Sequence, residues 1–147
     1  MTKYGVSFRP LVSKDLLSLM DVQEEGALAG LSHVFRQDRY PFEREVILER
    51  WKQELTDPAI RDNEFLHFGT AVRPWGSGLA AVFHDFVVGE LRKMNADTDN
   101  AFYWLRVFEE NHRARRFYER LGWVATDIRS RSAFGPRPYL LEYRLDR

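Results

Sequence analysis

The sequence VRPWGSGLA at residues 72–80 decides the fold that this chain is expected to adopt. Pro74 has no backbone N–H and favours extended geometry in the residue before it, so a strand is expected to end here. Gly76 and Gly78 have no Cβ, which permits a tight turn and the close approach of a ligand. Apolar residues then recur at helical spacing through residues 79–94, which predicts a helix with one apolar face. A helix N-terminus that follows such a turn presents unpaired N–H groups, and these can bind a phosphate.

A pair of glycines before a helix is also typical of an ordinary tight connection between a strand and a helix. The turn alone therefore leaves two interpretations open, a phosphate-binding loop and a purely structural connection.

Length and composition limit the class of protein. The 147 residues are enough for one domain with a buried core, and residues 1–147 are expected to form a single domain. The apolar share of 44% excludes a mostly disordered chain. The absence of cysteine excludes disulfides and thiolate chemistry, and the four histidines include no His-x-x-x-His pair, so no metal site is expected. No signal peptide or membrane-length apolar run is found, which predicts a cytoplasmic protein that does not insert into membranes.

The charge distribution is uneven although the net charge is zero. Residues 101–147 contain ten arginines against six acidic residues, an excess that can attract a polyanionic ligand but is also typical of a solvated surface. Arg113, Arg116 and Arg120 share one face of a predicted helix. Because the whole chain is neutral, a nucleic-acid partner is not expected.

The order of predicted elements is β-α-α-β-α-β-α-β-β, which indicates an α/β fold. We expect a sandwich in which helices flank a mixed, mostly antiparallel sheet. Residues 26–39 are expected to form a loop or a short helix between the first two helices. The predicted strands are residues 5–12, 64–72, 101–108, 123–132 and 139–145, and the predicted helices are residues 16–22, 42–55, 79–94 and 112–121.

A second informative stretch reads NHRARRFYERLGW at residues 111–123. Asn111 is a good N-cap for the helix that follows, and Gly122 lies where a helix-terminating glycine is expected. Tyr118 belongs to the apolar face of this helix, so taken alone it is typical of a core aromatic residue.

The two stretches together resemble the GNAT superfamily of acyl-CoA-dependent N-acyltransferases. Residues 73–78 are similar to the Arg-x-x-Gly-x-Gly cofactor loop of that superfamily, and residues 111–123 are similar to its Asn-x-x-Ala-x-x-Phe-Tyr-x-x-x-Gly-Phe segment. The order of the two motifs, their separation and the strands around them also fit. The resemblance covers most of the chain except its middle.

The resemblance implies transfer of an acyl group, usually acetyl, from acetyl-CoA to the amine of a small molecule or a peptide. The loop amides would hold the pyrophosphate, and the strand that ends at Val72 would pair with the pantetheine arm. Tyr118 would be the catalytic acid near the thioester sulfur, since a phenol with a pKa of about 10 can protonate a thiolate of similar basicity. The cofactor-binding residues that the resemblance implies are Val72, Arg73, Gly76, Ser77, Gly78, Leu79, Ala80 and Asn111.

A general base is not identified by position. An ordered water chain could take the same role, and His84 on the predicted third helix is also unassigned. If the resemblance holds, residues 30–41 are expected to line the acceptor pocket. The side chains with suitable chemistry are Glu24, Glu25, His33, Glu64 and His67.

The chain differs from the family pattern in its middle. Residues 56–75 are short for the three strands that the family places there, so a hairpin is expected to be missing or one strand to be fused to another. This leaves open an alternative, a catalytically impaired acyl-CoA-binding or interaction protein with the same fold. A shortened sheet can expose an edge, which a second copy could cover in a homodimer.

Overall fold

The computed structural model describes residues 5–56, 68, 70, 72–96 and 102–146. Within these ranges the predicted α/β class is confirmed, and four α-helices and three strands are found. A short 3-10 turn, Ser13–Asp15, precedes the first helix. The helices are α1 (Leu16–Gly30), α2 (Arg44–Thr56), α3 (Leu79–Met94) and α4 (His112–Arg120), and the strands are β1 (Phe102–Phe108), β2 (Val124–Arg131) and β3 (Tyr139–Asp146).

The described strands form one antiparallel sheet in the order β1-β3-β2. Tyr143 at the centre of β3 pairs with Leu105 of β1 on one side and with Ala125 of β2 on the other. The register between β2 and β3 shifts between Ala125 and Arg129, which marks a bulge. Strand β3 is thus the central strand, and the Tyr143 side chain is fully buried.

Helices α3 and α4 lie on the same face of this sheet. Alternate side chains of a strand point to one face, and those of β1 at 103, 105 and 107 meet residues from both helices. Val88 comes from α3 and Tyr118 from α4. This shared core fixes the two helices that carry the sequence motifs next to each other. Its buried members are Val88, Tyr103, Leu105, Val107, Tyr118, Trp123 and Tyr143.

Helices α1 and α2 pack on each other. The Trp51 indole donates a hydrogen bond of 2.6 Å to the Gln23 side chain. Arg44, at the start of α2, bridges Asp21 at 2.7 Å and Glu24 at 2.9 Å on α1. Helix α1 continues to Gly30, so residues 26–30 are its last turns and only the rest of the predicted connection is irregular.

The predicted first strand at residues 5–12 is not found. A strand needs a hydrogen-bonded neighbour, and no described residue pairs with this segment, in which Pro10 also removes one donor. Instead the ring of Phe8 contacts two rings of α3, Phe83 at 5.2 Å and Phe86 at 4.8 Å between centroids. The segment therefore covers α3 through side chains.

Two expectations for the middle of the chain lie mostly or wholly outside the described residues. These are the strand predicted at residues 64–72, of which residues 68, 70 and 72 are described, and the missing or fused hairpin between α2 and α3.

Candidate functional site

The glycine turn before α3 has the backbone geometry that its sequence predicts. Gly76 has a φ of +80° and Gly78 a φ of +89°, both in the left-handed region that favours glycine. Gly78 is the N-cap of α3, so the helix begins at Leu79 as expected. The turn therefore ends where the helix N-terminus begins.

Several backbone amides of the loop have no acceptor within the described part of the chain. Unpaired N–H groups at a helix N-terminus carry partial positive charge, so this end of α3 can bind an anion. Three loop amides are satisfied internally: Trp75 N–H bonds Val72 O at 2.9 Å, Ser77 N–H bonds Pro74 O at 3.1 Å, and Leu79 N–H bonds Ser77 Oγ at 3.2 Å. The amides without such an acceptor are those of Gly76, Gly78, Ala80 and Ala81.

Asn111 caps α4 as predicted. Its Oδ1 accepts a hydrogen bond of 3.2 Å from the backbone N–H of Ala114. Its side-chain NH₂ has no hydrogen bond to any described residue and can donate to a ligand. Gly122 follows the helix with a φ of +95°, which confirms the predicted terminating glycine.

A stacked pair joins the glycine turn to the first turn of α4. The guanidinium carbon of Arg113 lies 3.2 Å from the centroid of the Trp75 ring, a cation–π contact. The Trp75 indole N–H is directed at Thr70 O, 3.4 Å away. The two motifs that the sequence predicted separately are therefore neighbours in space. Nothing in the sequence indicated this contact, because no local pattern links residues so far apart.

Tyr118 is buried, with 8% of its surface exposed. Aromatic rings surround it, including Phe117 at 5.4 Å, Trp123 at 5.9 Å and Phe68 at 6.4 Å between centroids. Burial raises the pKa of its phenol well above the usual value, because the charged form is poorly solvated there. The hydroxyl therefore stays protonated at neutral pH and can donate a hydrogen bond.

The two described acidic candidates for a general base differ in their environment. Glu24 is held in an ion pair by Arg44 at 2.9 Å, whereas Glu25 is exposed. Glu64 and the histidine candidate His67 lie outside the described residues.

His33 lies in the connection between α1 and α2. Its Nε2 is 2.8 Å from the backbone carbonyl of Glu110, which requires a proton on Nε2 and leaves Nδ1 as the basic nitrogen. In the same connection, Phe35 makes an edge contact of 5.1 Å with Phe108 at the end of β1. Residues of this connection thus lie beside the start of α4.

His84 has a structural role. Its Nε2 accepts a hydrogen bond of 2.8 Å from the Trp123 indole, and its Nδ1 lies 3.0 Å from Asp85 Oδ1. Both ring nitrogens are used and only 3% of the residue is exposed, so His84 ties α3 to the segment entering β2.

A shallow apolar cavity of about 230 Å³ lies against the first turns of α3. It is lined by Val6, Phe8, Thr70, Leu79 and Phe83.

In the ranges that the structure describes, no group of three or more His, Cys, Asp or Glu side chains is placed to hold a metal ion. None of the helices found there combines the length and apolar character needed to cross a bilayer.

The fold defined by these elements is that of the GNAT acetyltransferases. A chain from Desulfovibrio desulfuricans assigned as an acetyltransferase of the GNAT family aligns with a TM-score of 0.65 and 19% identity, over 95% of this chain and 96% of that one. A mutant of the spermidine N-acetyltransferase SpeG from Vibrio cholerae aligns with a TM-score of 0.64 and 18% identity, over 96% and 95% of the two chains. The Vibrio cholerae enzyme in complex with CoA and spermine aligns with a TM-score of 0.59 and 15% identity, over 94% and 93%.

These similarities confirm the predicted resemblance at the level of the fold. At such low identity they carry no residue roles. No protein-family model matches the sequence, and no curated protein matches it.

Proposed function

We propose that this protein is an acetyl-CoA-dependent N-acyltransferase that moves an acetyl group to the primary amine of a small molecule or a peptide. The observation that carries the proposal is the set of unpaired amides at the glycine turn, held beside the N-terminus of α4 by the contact between Trp75 and Arg113. The fold supports it, since a protein of the same fold is known in complex with CoA and spermine.

The loop would bind the cofactor through its backbone. The unpaired amides of Gly76, Gly78 and Ala80 would donate to the pyrophosphate, and the dipole of α3 would favour its charge. The side-chain NH₂ of Asn111, which has no hydrogen bond to a described residue, would donate to the cofactor. The other proposed cofactor-binding residues are Val72, Arg73, Ser77 and Leu79.

The reaction would be a direct attack. The neutral amine attacks the thioester carbonyl carbon, a C–N bond forms, and the C–S bond breaks to release the thiolate of CoA. The Tyr118 hydroxyl would stabilise this thiolate by donating a hydrogen bond, which a protonated phenol can do over the whole physiological pH range. The proton lost by the amine would pass to water or to a base outside the residues assigned so far.

The acceptor amine would enter beside the connection between α1 and α2. This connection contacts the end of β1 through His33 and Phe35, close to the start of α4.

The test is release of free CoA from acetyl-CoA, followed with a thiol reagent and a panel of amines that includes spermidine and a lysine peptide. The proposal predicts release that depends on both the protein and one class of amine, with acetylated amine as the product by mass spectrometry. Cofactor binding without release for any amine would contradict transfer and favour the acyl-CoA-binding alternative.

A further inference from the structure

Arg113 is an unusual residue in the candidate site. It lies in the first turn of α4, and its guanidinium is stacked on Trp75 at 3.2 Å. Among the described residues it makes no ion pair and no hydrogen bond. The residue is exposed overall; partial desolvation of the guanidinium lowers its pKa, and no carboxylate acts in the opposite direction. An arginine nevertheless stays charged at neutral pH, so the site contains a cation with no anionic partner among the described residues.

The stacked arrangement fixes the direction of the guanidinium. One face rests on the indole ring, so the N–H groups point outward in the guanidinium plane, where they can bind phosphate oxygens side by side. The indole is itself positioned by neighbours. Its N–H is directed at Thr70 O, and its ring lies 3.5 Å from where a Cβ at Gly30 would be. The charge is therefore held in place before any ligand arrives.

The loop itself offers only partial charges for an anion. Backbone amides and the helix dipole together supply about half a positive charge, whereas a pyrophosphate carries more than one negative charge. Arg73, at the start of the loop, is exposed and makes no ion pair with a described residue. Arg113, which is stacked on the loop residue Trp75, and Arg73, which lies in the loop itself, thus add two full positive charges to this part of the site.

We propose that Arg113 is a phosphate-binding residue of this site, holding the anionic end of acyl-CoA through the N–H groups that its stacking on Trp75 leaves free. This inference rests on the proposed function. It adds an ionic contact from α4 to the backbone amides and the Arg73 charge that the loop itself would contribute.

The test compares CoA binding by calorimetry at low and high salt for the wild type and three variants. Arg113→Gln removes the charge, Arg113→Lys keeps it without the planar fork, and Arg120→Gln removes an equal charge from the same helix. Arg120 is a matched control because it lies on the same face about 10 Å farther along the helix and is exposed.

We expect Arg113→Gln to weaken CoA binding at least tenfold at low salt, with a smaller loss at high salt. Arg113→Lys should lose less affinity, and Arg120→Gln should stay within twofold of the wild type. Unchanged affinity in Arg113→Gln, or an equal loss in the Gln and Lys variants, would overturn the proposal while leaving the proposed function intact. A wild-type protein that binds no CoA would overturn both.

Discussion

Substitution of Gly76 by alanine tests the geometry of the loop most sharply. Gly76 has a φ of +80°, and a Cβ added there would meet no heavy atom within 4 Å. The cost is therefore backbone strain alone, about 1–2 kcal/mol for an L-residue in the left-handed region. For a domain of this size the expected fall in melting temperature is roughly 2–8 °C.

Gly89 in the middle of α3 is the matched control. A Cβ there also meets nothing within 4 Å, but the backbone is helical, so Gly89→Ala should raise stability by about 0.8–1.0 kcal/mol. Both variants are measured by thermal and urea unfolding followed by circular dichroism. The reasoning is refuted if Gly76→Ala is as stable as the wild type, because the left-handed turn would then be absent.

Four further predictions concern Tyr118, His84 and Asp15. Tyr118→Phe should lower the rate of acetyl transfer more than the affinity for acetyl-CoA, and equal turnover would remove Tyr118 from the reaction. Because burial raises the pKa of Tyr118, its neutral form contributes stability below about pH 10, and this contribution is lost at higher pH. Up to about pH 10, the wild type and Tyr118→Phe should therefore show the same phenol titration by absorbance. His84→Leu should destabilise the fold by about 1–3 kcal/mol in urea unfolding, since it removes the hydrogen bond that the buried indole N–H of Trp123 donates to His84. No loss would contradict the tie between α3 and the segment entering β2. The hydrogen bond and charge of Arg9 lower the pKa of Asp15. The stability difference between the wild type and Asp15→Asn should therefore be constant at neutral pH and shrink as the pH falls below about 4. A difference that grows in acid would contradict the pairing.

Elements that depend on residues close together in the sequence were predicted from sequence patterns. Asn111 caps α4 and Gly122 ends it, as the spacing of their residue types indicates. The glycine turn and α3 were likewise predicted from the residue pattern of 74–94 alone. The apolar run at residues 101–108 predicted β1, a strand whose inner side chains are fully covered.

Expectations that depend on distant partners were less reliable. Residues 5–12 alternate like a strand, but no described neighbour pairs with them, and Phe8 packs on α3 instead. Helix α1 runs through Gly26 to Gly30 despite the low helix propensity of glycine.

In the candidate site, too, local geometry was predictable and contacts between distant residues were not. Its backbone geometry at Gly76 and Gly78 was predictable from residue type, whereas the stacking of Arg113 on Trp75 and the burial of Tyr118 depend on tertiary packing. Burial raises the pKa of the Tyr118 phenol, and the role of Tyr118 as the catalytic acid stays a prediction.

Thermal unfolding with and without CoA tests most directly whether the loop at residues 72–80 and the start of α4 form an acyl-CoA site. At a CoA concentration a hundred times the dissociation constant, binding to the folded state adds about 2.7 kcal/mol of stability, which corresponds to a rise on the order of 5–10 °C. We expect such a rise with CoA and with acetyl-CoA, and a smaller one for Gly76→Ala. An unchanged melting temperature at millimolar CoA would contradict the account.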